Sequence, residues 1–233
     1  MKTTCTLALM WCMLIDTPAL GQDVLLTGCA LGWGAGGRSS PGERLDLVGT
    51  VHLFESRYPA DLAHNEYTIV LSGLISTGSV DVGNGLYATA FYWGQFVMYE
   101  DPSGNSTYDG NPPNGTVPSS FADGALLLSG VTDFFYVFDG TGTGTRAWAA
   151  DLHVQSTVVP ELLYPGNTVH LRGSYITDSQ SLLPGYSLST SLDLVLVPPW
   201  DPPPPLPPAP VWDCASTVGV ESRPWGSIKR LYR

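Results

Sequence analysis

Side-chain oxygens recur at every second position of the loop from Asp101 to Asn111: Asp101, Ser103, Asn105, Thr107 and Asp109. Hard cations take oxygen ligands, so Asp101, Ser103, Asn105 and Asp109 form a candidate calcium loop. It departs from the EF-hand pattern at Ser106, where that loop needs glycine, and at Pro112, where it needs a bidentate Glu. Asp, Asn, Gly and Ser are also ordinary turn residues. The expectation is therefore no cofactor, with calcium at this loop as the alternative. His52, His153 and His170 fall on the polar faces of alternating segments and would make a metal site only if those segments were adjacent. The chain has no G-x-S-x-G, H-E-x-x-H, Walker or C-x-x-C motif. Its carboxylates are scattered, and no pair stands out as the acid and nucleophile of a glycosidase.

Aromatic residues suggest binding instead. Phe91, Tyr92, Trp93, Phe96 and Tyr99 crowd one segment, and Phe134, Phe135, Tyr136 and Phe138 another. On alternating faces of strands, such residues are core on one side. On the other they are cross-strand pairs or an exposed stacking platform for sugar rings. Tyr92, Trp93 and Tyr99 are the candidate ligand-binding residues.

The elements that must position these groups are strands. Gly (26) and Pro (20) punctuate segments rich in Val, Thr, Tyr and Leu, which is strand-and-turn composition. Period-two alternation places Leu45, Leu47, Val51 and Leu53 on one face, and likewise Tyr67, Ile69, Leu71 and Ile75. It does the same for Trp148, Ala150, Leu152 and Val154, for Val169, Leu171 and Tyr175, and for Leu192, Leu194 and Leu196. Leu86–Tyr99 and Ala125–Phe138 are apolar on both faces and read as central strands. Asp139-Gly140 predicts a hairpin leading to Arg146. The fold class expected is all-β: a single β-sandwich or small barrel of about eight to nine mostly antiparallel strands.

Both ends differ from this body. Thr6–Ile15 is a ten-residue apolar run behind Lys2. That is shorter than the about 20 residues a membrane span needs. Small residues at Ala19 and Gly21 predict a signal peptide over 1–21, cleaved before Gln22. Leu26-Thr27-Gly28-Cys29 has the form of a lipobox, but it lies well downstream of the apolar run, so lipidation at Cys29 is the lesser alternative. Cleavage leaves Cys29 and Cys214, which an oxidising compartment would pair, the alternative being two thiols. The β domain spans 22–197. Nine prolines between 198 and 210 form an extended linker, followed by a C-terminal tail over 211–233. No transmembrane segment is expected after cleavage.

Charge divides along the same line. Residues 22–213 hold nineteen Asp and Glu against five Arg, which disfavours nucleic acid and anionic lipid as partners. Arg223, Lys229, Arg230 and Arg233 gather in the tail. In a short helix Trp225, Ile228, Leu231 and Tyr232 would share a face beside Lys229 and Arg230. The tail-docking set is thus Trp225, Ile228, Lys229, Arg230 and Tyr232. The last nine residues, Trp225-Gly226-Ser227-Ile228-Lys229-Arg230-Leu231-Tyr232-Arg233, resemble the W-G-x-[IV]-K-x-x-[YF]-R ending of diverse exported proteins of some bacterial lineages. That resemblance covers the tail alone and implies a sorting or attachment signal with an envelope partner. The alternative is a tail that packs on the domain.

These features together predict an exported, non-enzymatic structural or binding protein, extracellular or associated with the cell envelope. A carbohydrate-binding module for a polysaccharide, with or without structural calcium, is the second reading. A secreted hydrolase is the third.

Overall fold

The computed structural model describes residues 24–54, 60–108, 119–140, 146–158, 163, 165–177 and 182–196. The signal peptide, the proline-rich linker, Cys214 and the tail with Trp225, Ile228, Lys229, Arg230 and Tyr232 lie outside them. Nine strands follow one another: β1 (Val24–Gly34), β2 (Arg44–Phe54), β3 (Glu66–Gly83), β4 (Leu86–Tyr92), β5 (Gly94–Asp101), β6 (Ala125–Gly140), β7 (Arg146–Thr157), β8 (Thr168–Ile176) and β9 (Leu188–Leu196). A single 3-10 turn at Ser119–Phe121 is the only helical element among the described residues. No helix among them is long and apolar enough to cross a membrane.

All pairings are antiparallel. β4 and β5 run end to end along the same two neighbours, β3 on one side and β6 on the other. Together they make one stave interrupted at Trp93. Each stave then pairs with the next in sequence, and β9 pairs with β1 from Val24↔Val195 to Gly32↔Leu188. The sheet closes as an eight-stave up-and-down barrel. Of the two architectures expected from sequence, the barrel is the one formed, and the sandwich is not. Closure leaves neither edge of the sheet unpaired.

The interior is filled by side chains from every stave. Leu26, Leu45, Leu47, Tyr67, Leu71, Leu74, Phe91, Phe96, Phe135, Trp148, Leu152, Leu171 and Leu192 belong to one buried cluster. Trp148 lies parallel to Phe135 with centroids 4.8 Å apart, and its indole N–H donates to Thr190 Oγ1. Its cross-strand partner is Gly173. A Cβ there would sit 2.6 Å from Trp148 Nε1 and 1.9 Å from the Ser191 carbonyl oxygen, so only glycine admits the indole. The barrel interior is therefore a packed apolar core.

Two predicted stripes break at irregularities of the sheet. Alternation groups Leu53 with Leu45, Leu47 and Val51, but a register shift opposite Thr27/Gly28 interrupts it and leaves Leu53 61 % exposed. Alternation likewise groups Ile75 with Tyr67, Ile69 and Leu71. Gly73 takes a left-handed φ of 78°, and Leu74 becomes the buried residue in its place. The side chain of Leu196 lies outside the described residues.

Buried tyrosines tie the fold to pH. Tyr67 is 1 % exposed and donates to Glu100 Oε1 at 2.7 Å. Burial and that carboxylate push its pKa up to about 12. Burial also raises Tyr108 and Tyr175. A folded pKa above the unfolded value of 10.0 gives stability that is complete below pH 10 and lost as pH rises through about 12. Absorbance of tyrosinate during alkaline titration should show these groups ionising only as the barrel unfolds, and Tyr67→Phe should move that transition to higher pH. Gly173→Ala should lower the unfolding free energy by about 1–3 kcal/mol in chemical denaturation.

Candidate functional site

Two residues that are diagonal neighbours across the ladder, Gly73 on β3 and Trp93, mark the break in the β4–β5 stave. Ser72 pairs with Gln95 and Ile75 with Tyr92, so Leu74 lies opposite Trp93, and Gly73 lies one position along, opposite Gly94, where a Cβ would be 3.5 Å from the Trp93 carbonyl oxygen. Both residues adopt left-handed backbone, Gly73 at φ 78° and Trp93 at φ 66°. For glycine that conformation carries no steric cost. For a residue with a Cβ it costs about 1–2 kcal/mol.

The kink is held from β2. Asp46, 5 % exposed, accepts the Gly73 backbone N–H at 2.7 Å. Arg44 fixes that carboxylate through two hydrogen bonds, Nε to Oδ2 at 2.6 Å and Nη2 to Oδ1 at 2.9 Å, which also raises the pKa of the guanidinium. A bidentate pair of this kind orients as well as binds. Arg44 thus positions Asp46, and Asp46 holds Gly73, the diagonal neighbour of Trp93.

Trp93 is 78 % exposed. Its ring meets that of Tyr92 edge to face, with centroids 4.6 Å apart. On β6, the paired positions Thr132 (with Gly94) and Phe135 (with Phe91) bracket Asp133 and Phe134, which therefore lie beside Tyr92 and Trp93. Phe134 is 52 % exposed. Trp93 and Phe134 are the exposed Trp, Phe or Tyr side chains among the described residues. Phe134, Tyr136 and Phe138 follow along the outer face of β6 with ring planes within 24° of parallel and centroids 5.8 and 6.5 Å apart. Alanines flank the last two: Ala90 and Ala88 on β4, Ala149 and Ala147 on β7. The rings consequently rise above their neighbours on the wall.

Polar groups border the aromatic strip on β7 and β8. His153 Nε2 meets Asp133 Oδ2 at 2.7 Å, and Thr168 Oγ1 meets His153 Nδ1 at 2.8 Å. His170 Nδ1 contacts Asp151 Oδ1. Asp151 lies across from the Asp133–Phe134 irregularity. Burial, and then the Asp151 charge, raises the Tyr136 pKa. The histidines do not gather: His153 and His170 each face a carboxylate, and His52 lies on β2 with its Nε2 3.5 Å from Thr50 Oγ1. Among the described residues no three His, Cys, Asp or Glu side chains are grouped to hold a metal.

The residues singled out by sequence are distributed as follows. Tyr92 and Trp93 come together. Tyr99 sits apart, packed against a second outer cluster of Leu31, Trp33, Val48, Val70, Phe121 and Tyr186. The loop after β5 folds over that cluster. Asp101 Oδ1 accepts the Ser103 N–H and hydroxyl at 2.8 and 2.6 Å, closing a turn. Burial raises the Asp101 pKa, but the hydrogen bonds from Ser103 and the next backbone N–H groups outweigh it, and the net shift is downward. Asn105 donates to Asp123 Oδ2 at 3.0 Å, Thr107 to the Asn105 carbonyl, and the Ser106 N–H to Glu66 Oε2 at 2.9 Å. Asp109 lies outside the described residues. Cys29 is 9 % exposed and sits on the outer side of β1 between Thr50 and Ser191, and Cys214 is not among the described residues.

Sequence reasoning missed Asp133, Phe134 and Asp151 as neighbours of Trp93. The available signal was Thr132-Asp133, two adjacent polar residues in the middle of a mostly apolar strand.

No protein-family model, curated protein or solved structure matches this chain. The reading of the site rests on its geometry.

Replacing Trp93 separates backbone strain from surface chemistry. Trp93→Gly should raise the unfolding free energy by about 0.5–1 kcal/mol, the removed strain exceeding the added chain entropy. Denaturant titration of the two proteins measures this directly.

Proposed function

We propose that this chain is an exported, non-enzymatic binding protein whose barrel is a rigid scaffold and whose outer wall, at Trp93, is the working surface. The observation that carries this reading is a large aromatic side chain held 78 % exposed on a left-handed backbone. Packing does not require that arrangement, and strain of this kind is characteristic of functional positions. The interior is occupied by core side chains, which leaves the wall as the place for a ligand.

Several features support the remaining parts of the reading. β1 begins at Val24, two residues after the cleavage site expected before Gln22. Cleavage at the lipobox would instead remove Leu25 and Leu26, both buried, together with the first part of a strand that closes the barrel. This favours the signal peptide over lipidation at Cys29. The outward position of Cys29 suits a disulfide with Cys214 from the segment beyond the barrel. The hydroxyl–imidazole–carboxylate line of Thr168, His153 and Asp133 is open to water, its His and Asp side chains 41 and 55 % exposed. It reads as polar wall rather than as a desolvated catalytic relay. In this reading the linker carries the barrel away from a tail that docks to an envelope partner.

The test compares full-length protein with a truncation ending at Pro210 in fractionated cells of the native host. The reading expects the full-length form with the envelope and the truncated form in the medium. Equal distribution of the two would remove the tail's role, and retention of both inside the cell would contradict export.

A further inference from the structure

The chemistry around Trp93 narrows the class of ligand. Two ring systems, Trp93 and Phe134, present apolar area to solvent, while carboxylates stand beside them: Asp133 is 55 % exposed and Asp151 49 %. A purely apolar partner, such as a lipid tail or an aliphatic peptide face, would have to desolvate those carboxylates without compensation. A polyanion, whether nucleic acid or an acidic polysaccharide, would meet Asp133 and Asp151 on a body with nineteen acidic residues against five arginines. A pyranose ring combines what both exclude. Its C–H face stacks on an aromatic ring, and its hydroxyls donate to carboxylates and exchange hydrogen bonds with imidazole.

We propose that the surface formed by Trp93, Tyr92, Phe134, Asp133, Asp151 and His153 binds a neutral glycan chain. Trp93 and Phe134 stack against sugar faces, and Asp133 and Asp151 accept hydrogen bonds from ring hydroxyls. His153 holds Asp133 in place through its 2.7 Å contact while Thr168 holds the imidazole from the other side at 2.8 Å. A carboxylate fixed in this way loses little freedom when it engages a ligand. The bare alanines at Ala88, Ala90, Ala147 and Ala149 leave room on either side of the β6 rings for a chain that continues along the wall. This inference depends on the reading of the outer wall as a binding surface and gives it a ligand class.

The experiment titrates the purified full-length protein, by calorimetry and tryptophan fluorescence, with cellohexaose, xylohexaose, mannohexaose and chitohexaose, and with alginate as the anionic control. Saturable binding of at least one neutral hexasaccharide and none of alginate is expected. Trp93→Ala and Phe134→Ala should each weaken binding at least about tenfold, as is usual for a central aromatic anchor. Asp133→Asn should weaken it less. Trp93→Gly, which keeps or raises stability, should lose affinity as Trp93→Ala does, so that misfolding does not explain the loss. Binding by none of the neutral hexasaccharides overturns the inference, as does undiminished binding by both alanine variants. Sedimentation that shows a dimer abolished by Trp93→Ala would assign the patch to a second copy of the chain and overturn it likewise. The glycan assignment fails alone if no sugar binds while Trp93→Ala still changes how the full-length protein partitions with the envelope. If Trp93→Ala changes neither, the outer-wall reading fails with it.

Discussion

Closure of β1 onto β9 is the interaction on which the rest of this structure depends. These strands are separated by more than 150 residues, yet they pair from Val24↔Val195 to Gly32↔Leu188. The Asp193 carboxylate accepts the Thr27 hydroxyl at 3.0 Å across the seam, and Arg172 of β8 approaches the same carboxylate. Without the seam the sheet would have two open edges and could not enclose Leu26, Leu188, Leu192 and Leu194, which are at most 4 % exposed. Contacts of such long sequence separation require loop closure before they stabilise anything, so the seam should also be the slow part of folding.

A closed and filled barrel has few ways to present a ligand site. Its interior is taken, its staves have no free edge, and its side chains alternate strictly unless the backbone is kinked. The β4–β5 stave is kinked at Trp93, and its diagonal neighbour Gly73 is fastened from β2 by Asp46, itself gripped by Arg44. A buried carboxylate satisfied by a backbone N–H and a guanidinium belongs to the wall's construction, while the left-handed backbone at Trp93 lies at the surface. In the proposed reading, stability and function are therefore opposed at one residue.

Much of this was legible in the sequence. Period-two alternation identified the interior faces of β7 and β8, and the doubly apolar segments Leu86–Tyr99 and Ala125–Phe138 became the adjacent β4–β5 stave and β6. Alternation failed where the backbone departs from regular pleating, at Leu53 and Ile75, because one irregular residue shifts every later side chain to the opposite face. Sandwich and barrel share the same local pattern, and only the pairing of the first strand with the last distinguishes them. The site was half legible. Composition drew attention to Tyr92 and Trp93, but Asp133, Phe134 and Asp151 reach them through registers that sequence does not encode locally. Tyr99, in the same aromatic run, has the spacing of an outward residue and is nevertheless covered, since the loop after β5 packs over it.

Amide hydrogen exchange on the full-length protein tests the closed barrel most directly. If β1 and β9 seal the sheet, the amides of Leu26–Gly32 and Leu188–Leu194 should be protected as strongly as those of β6 and β7 and should open with them in one cooperative unit. Rapid exchange along β1 or β9, with β6 and β7 still protected, would mean an open sheet with two free edges. The account of a sealed scaffold bearing its function on the outer wall would then be wrong.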